Sequence, residues 1–181
     1  MSILSLPQLN PSYVTEYQEI ARVPINFTAN GFTVTLPIPL RNFLHILIRY
    51  RFISGTPGSP CYIRFNGDSG GNYATSTSLN GNADAAATLG SGIVFPFPVN
   101  TTTINTFIDL WINNVIYGGM HRVMHSHEDQ SQGSGTAPNR TERSGTWAST
   151  AQINSISLVF AAGNTFAIEG EILVLGTDYW Q

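Results

Sequence analysis

Between residues 43 and 53 the chain alternates with a period of two. Leu44, Ile46, Ile48, Tyr50 and Phe52 make one face; His45, Arg49 and Arg51 lie on the other, among Phe43, Leu47 and Ile53. Successive strand side chains point to opposite faces, so this pattern predicts a half-buried strand of unusual length. The same period returns in Phe32 to Leu36, and in Cys61, Ile63 and Phe65 set against Tyr62 and Arg64. Ile104, Thr106, Ile108 and Leu110 oppose Asn105, Phe107, Asp109 and Trp111. Two further strands are predicted by Asn154, Ile156, Leu158 and Phe160, and by Phe166, Ile168, Ile172 and Val174. Turn signals separate these runs, among them Gly67-Asp-Ser-Gly-Gly71, Asn80-Gly81 and Ala162-Gly163-Asn164. Only Ala83 to Leu89 has a helical composition, and seven residues are marginal for a helix. The polar, Gly/Ser-rich stretches 75–92 and 129–145 read as long loops. Eight to ten short strands without helices predict an all-β fold, an antiparallel β-sandwich of jelly-roll type.

Length and composition agree with one such domain. The 181 residues are 42% apolar, enough for a core without staples. Only 10% are charged, and all eight basic residues are Arg. A net charge of −3 without Lys does not build the basic footprint of a nucleic-acid binder. Cys61 is the single cysteine, so neither an intrachain disulfide nor a Cys-based zinc site can form. No apolar run approaches a membrane span, and the N-terminus does not read as a signal peptide. The glycosylation sequons at Asn26, Asn100 and Asn139 are then by-products of an Asn/Thr-rich chain. Residues 1–18 show no regular period and are interrupted by Pro7 and Pro11, which favour extended backbone. They read as an arm ahead of a sandwich domain at 19–181. Ile3, Leu4, Leu6, Leu9, Tyr13 and Tyr17 are its contact residues toward its own domain or a neighbour.

Three patterns invite a chemical reading. Gly67-Asp68-Ser69-Gly70-Gly71 matches the segment around the nucleophile of chymotrypsin-like proteases. That chemistry needs a His and an Asp ahead of the Ser, but His45 is the one preceding His and no Asp precedes Asp68. The alternative is a structural turn built by Asn66, Gly67, Asp68, Asn72 and Tyr73. In it Asn and Asp side chains cap backbone N–H groups and Gly67 takes a conformation others avoid. His121, His125 and His127 would share one face of a strand, as metal ligands or as a solvated polar strand end. Cys61 reads as a small core residue, and the pairs Arg49/Arg51 and Arg140/Arg143 as ion-pairing or interface residues. No phosphate loop, paired-carboxylate set or nucleophile elbow is present, so the chain is expected to be neither an enzyme nor a cofactor carrier.

The stretch Ile63-Arg-Phe-Asn-Gly-Asp-Ser-Gly-Gly-Asn-Tyr73 resembles a family of tailed-phage virion proteins with an FNGD…NY turn after a long apolar strand. Tyr17 to Arg22, Arg41 to Ile48 and Ser78 to Asp84 occur in the same order as in that family. So do Ala137 to Trp147, Ile153 to Ile156 and Glu171 to Gly176, so the likeness spans about residues 17–176. The resemblance implies a β-sandwich structural protein of the virion: a homotrimeric capsid decoration (cement) protein on the major capsid protein. It would be made in the host cytoplasm and displayed on the capsid exterior, without nucleic acid or membrane as partner. The alternative is a receptor-binding knob of a tail or head fibre, with Tyr73, Phe95, Phe97 and Tyr117 as sugar-stacking aromatics. The N-terminal arm and the His-rich segment have no counterpart in the family.

Overall fold

The computed structural model describes residues 16–54, 61–95, 104–115, 120–131, 135–160 and 166–178. These residues contain no helix and form twelve strands. The first six are β1 (Gln18–Ala29), β2 (Gly31–Thr35), β3 (Phe43–Ser54), β4 (Cys61–Phe65), β5 (Tyr73–Leu79) and β6 (Ala85–Gly90). The others are β7 (Ile93–Phe95), β8 (Ile104–Asn113), β9 (Arg122–Gln130), β10 (Asn139–Trp147), β11 (Ser155–Phe160) and β12 (Phe166–Thr177). They form two antiparallel sheets, an eight-stranded one ordered β1-β12-β3-β8-β9-β10-β5-β6 and a four-stranded one ordered β2-β11-β4-β7. The fold is therefore an all-β sandwich. The strand order supports this coarser description, with an unequal division of strands, and not the jelly roll in particular.

The core forms where the alternation demands. Leu44, Ile46, Ile48 and Tyr50 of β3 are buried together with Ile108, Leu110 and Ile112 of β8 and Ile172 and Val174 of β12. Val34, Cys61, Ile63, Phe65, Ile156, Leu158 and Phe160 of the smaller sheet belong to the same cluster. Full burial of each large aliphatic side chain is worth about 1.5–3 kcal/mol.

Two sequence expectations are corrected, and the marginal helical composition of 83–89 yields no helix, in keeping with the expected all-β fold: Ala85–Gly90 is strand β6, paired with β5 through Thr77↔Ala85, Ser76↔Ala86 and Thr75↔Ala87. So short a segment gains more from ladder hydrogen bonds than from an isolated, unnucleated helix. The loops expected at 75–92 and 129–145 contain β5, β6 and β10. Finally, the described residues form twelve strands, not eight to ten.

β10 carries no apolar alternation, because Trp147 alone among its inward residues is a large apolar one. Thr141, Arg143, Gly145 and Trp147 point inward from it, against Arg122, Met124, Ser126, Glu128 and Gln130 of β9. Within this layer the Arg143 guanidinium meets the Glu128 carboxylate at 2.7 Å, with side chains 1% and 0% exposed. Gln130 donates to the second carboxylate oxygen at 2.6 Å. Arg122 donates to the backbone carbonyls of Val115, Thr150 and Ala151, tying the segment after β10 to the base of β9.

Candidate functional site

The turn after β4 is built by local backbone chemistry. Asn66 (φ +54°) and Gly67 (φ +69°) adopt left-handed backbone, which Asn and Gly tolerate best. The Asn66 side chain accepts the N–H groups of Asn154 (2.8 Å) and Ser155 (3.2 Å) and donates to Gln152 O (2.8 Å). Asp68 accepts the Gly70 N–H (2.8 Å), the Asn72 amide (2.9 Å) and the Trp147 indole N–H (2.7 Å). The Trp147 bond, then those from Asn72 and Gly70, holds its carboxyl below the usual carboxylate range. Tyr73 lies beneath the turn, 1% exposed, and its phenol accepts the Phe65 N–H at 2.9 Å. Burial pushes that phenol up to about 12. The turn thus joins β4, β5 and the end of β10, and Asp68 is committed to holding it rather than to orienting a His beside Ser69.

Of the aromatics considered for sugar stacking, Tyr73 is excluded by this burial. Phe97, Tyr117 and the side chain of Phe95 lie outside the described residues. So do the arm positions Ile3, Leu4, Leu6, Leu9 and Tyr13. Cys61 is fully buried, and desolvation pushes its thiol up strongly.

The outer face of the eight-stranded sheet gathers a different set. The register aligns three rows across neighbouring strands. One runs Leu175, His45, Trp111, His125, Ser144; the next Leu173, Leu47, Asp109, His127, Glu142; the third Glu171, Arg49, Phe107, Asp129, Arg140. His45 stacks on Trp111 with ring centroids 3.7 Å apart and planes within 11°. Its Nε2 is 2.7 Å from Asp109 Oδ1. Tyr17 packs edge-on against both rings, at 5.9 Å from His45 and 5.5 Å from Trp111. His127 lies 3.3 Å from Asp129 and 3.8 Å from Glu142. His125 and His127 share this face, and His121 is exposed just before β9. Among the described residues no group of three His, Cys, Asp or Glu side chains could hold a metal ion.

Ion pairs border the rows. Arg22 pairs with Glu19 (2.9 Å) and Glu171 (3.1 Å), Arg49 with Glu171 (2.7 Å), Arg51 with Glu169 (2.9 Å) and Arg140 with Glu142 (3.8 Å). Along β8 the face is indented twice. A groove of about 540 Å³ surrounds Phe107, with Arg49, Arg51, Asn105, Asp129 and Pro138 in its walls. A second, of about 290 Å³, lies beside Trp111 and is lined by Tyr17, Asn113, Val123, His125 and Ser144.

The two ends of this sheet differ. β1 carries Pro24, Glu19 and Arg22, features that blunt an edge against further pairing. β6 reads Ala-Ala-Ala-Thr-Leu-Gly with no charge and no Pro, and Ala85, Ala86 and Ala87 are exposed. Among the described residues no strand pairs with its free side. No family model matches the chain, and no match was found among the curated proteins or the solved structures.

Proposed function

We propose that the protein is a structural, non-catalytic component of a tailed-phage virion, a capsid decoration (cement) protein that acts as a homotrimer on the major capsid protein. The observation that carries this reading is the unguarded edge at β6. An uncharged, exposed edge strand is a template for pairing with another chain, and proteins that stay monomeric blunt such edges with charge or Pro. A closed ring needs a heterologous contact, in which β6 of one copy meets a different surface of the next. The N-terminal segment of a neighbouring copy ahead of Tyr17, where Pro7 and Pro11 favour extended backbone, suits that role by strand addition. The resemblance of Ile63–Tyr73 and its flanking segments to virion β-sandwich proteins supports the setting.

Light scattering on the full chain tests the association. A trimer is expected at micromolar concentration, and Ala86→Lys is expected to shift it to monomer with an unchanged far-UV spectrum. A monomeric parent protein overturns the reading. Density of the intact particle then decides the setting: the head exterior is expected, and a position at a fibre tip favours the receptor-binding knob instead.

A further inference from the structure

We infer that the groove beside Trp111 is a binding site for an uncharged oligosaccharide, with one sugar ring stacked on the indole. A pyranose ring has an apolar C–H face and a rim of hydroxyl groups. Its site therefore needs a fixed aromatic plane edged by hydrogen-bonding side chains. Trp111 is 39% exposed yet held in place, stacked on His45, which Asp109 orients, and braced by the edge of Tyr17. The groove opens on the side of β9 and β10, where His125 and Ser144 supply polar groups and Val123 an apolar wall, and Asn113 at the end of β8 adds a third polar group. At about 290 Å³ it suits one ring of a longer ligand. Phe107, four residues along the same strand face and 40% exposed, lies about 14 Å away at the usual strand rise. An oligosaccharide following β8 can reach both grooves.

Charge selects the class of sugar. Every Arg on this face (Arg22, Arg49, Arg51 and Arg140) already has a carboxylate partner. Seven carboxylates stand there against those four guanidinium groups: Glu19, Asp84, Asp109, Asp129, Glu142, Glu169 and Glu171. Such a face repels an anionic polymer and accepts a neutral one. Arg49, Arg51, Asp129 and Glu169 around the Phe107 groove also make that part of the face a poor apolar interface between copies. This site is independent of the β6 edge, so a monomeric protein can still bind sugar and a trimeric one can fail to.

The test follows the Trp111 indole N–H resonance of the full chain during titration with maltohexaose, cellohexaose, chitotetraose and mannotetraose, with sialyllactose as the anionic control. At least one neutral probe is expected to shift that resonance with a dissociation constant of about 1 mM or tighter, and sialyllactose is not. Trp111→Ala is expected to weaken binding, read by saturation transfer to the sugar, by about tenfold or more, and Trp111→Tyr to retain it. Val123→Arg, which fills the groove from its β9 wall and covers the open side of Trp111 while leaving Trp111, His45 and Tyr17 unsubstituted, is expected to abolish binding, with the fold checked by circular dichroism. The proposal is overturned if no neutral probe acts at about 10 mM, or if binding ignores both Trp111→Ala and Val123→Arg. It is also overturned if the resonance shifts with protein concentration alone, because a second copy then covers the groove. A response to sugar only after Leu6→Asp and Leu9→Asp overturns it as well, because the chain's own N-terminal segment then fills the groove.

Discussion

Trp147 donates its indole N–H to the Asp68 carboxylate at 2.7 Å, joining the end of β10 to a turn 79 positions earlier in the chain. The indole ring packs against Phe65 at 5.7 Å and Tyr73 at 6.4 Å between centroids, so one residue closes the turn by both polar and apolar contact.

Loss of this carboxylate takes the acceptor from three donors, of which the Gly70 and Asn72 groups are open to water and the Trp147 indole N–H is part-buried. Asp68→Ala is expected to cost about 1–3 kcal/mol in urea denaturation, and Asp68→Asn, which keeps one acceptor, less. Trp147→Phe keeps most of the ring packing but not the bond, so a double-mutant cycle with Asp68→Ala should give a coupling energy well above zero. The sign of the pH dependence follows from the lowered carboxyl. The Asp68 contribution is complete above the ordinary Asp value of about 3.9 and is lost as pH falls through the lower folded value. A stability profile of Asp68→Asn that is as steep in acid as the parent's would contradict this.

The buried Glu128–Arg143 pair should respond asymmetrically to substitution. Arg143→Met leaves the Glu128 carboxylate buried beside Gln130 without its ionic partner, at an expected cost of about 3–5 kcal/mol. Adding Glu128→Leu should recover much of that loss, because a desolvated charge is replaced by packed hydrocarbon. Burial raises the Glu128 carboxyl against the lowering effect of Arg143. A raised carboxyl favours the folded chain at low pH, and that contribution is lost as pH rises through the folded value, opposite in sign to Asp68. A double variant less stable than Arg143→Met alone would count against this account.

Cys61 should be inert while the protein is folded. Its side chain is 0% exposed and burial disfavours the thiolate, which is the reactive species. A thiol reagent at neutral pH is expected to modify no cysteine in the native protein and one equivalent in denaturant. Fast native-state modification would show that the β4–β11 region opens.

Strand alternation determined much of this protein without help from the third dimension. β3, β4, β8, β11 and β12 were legible because apolar residues fill most of the inward positions, every second residue, while polar residues such as His45, Arg49, Arg64, Asp109 and Glu171 interrupt the outward set. The Asn66-Gly67-Asp68 turn was legible because its backbone conformation is a local property of Asn and Gly. β10 was not, since Thr141, Arg143 and Gly145 face inward and imitate a polar loop until Glu128 is known to lie opposite. β6 was not, because three alanines prefer a helix until β5 offers a ladder. The same limit holds for the outer face. The character of His45 and Trp111 as outward residues is written in the period of β3 and β8, but their meeting with His125 in one row is not. It depends on the register among β3, β8 and β9, which are far apart in the chain, and that register is set by burying the opposite face of all three in a common core.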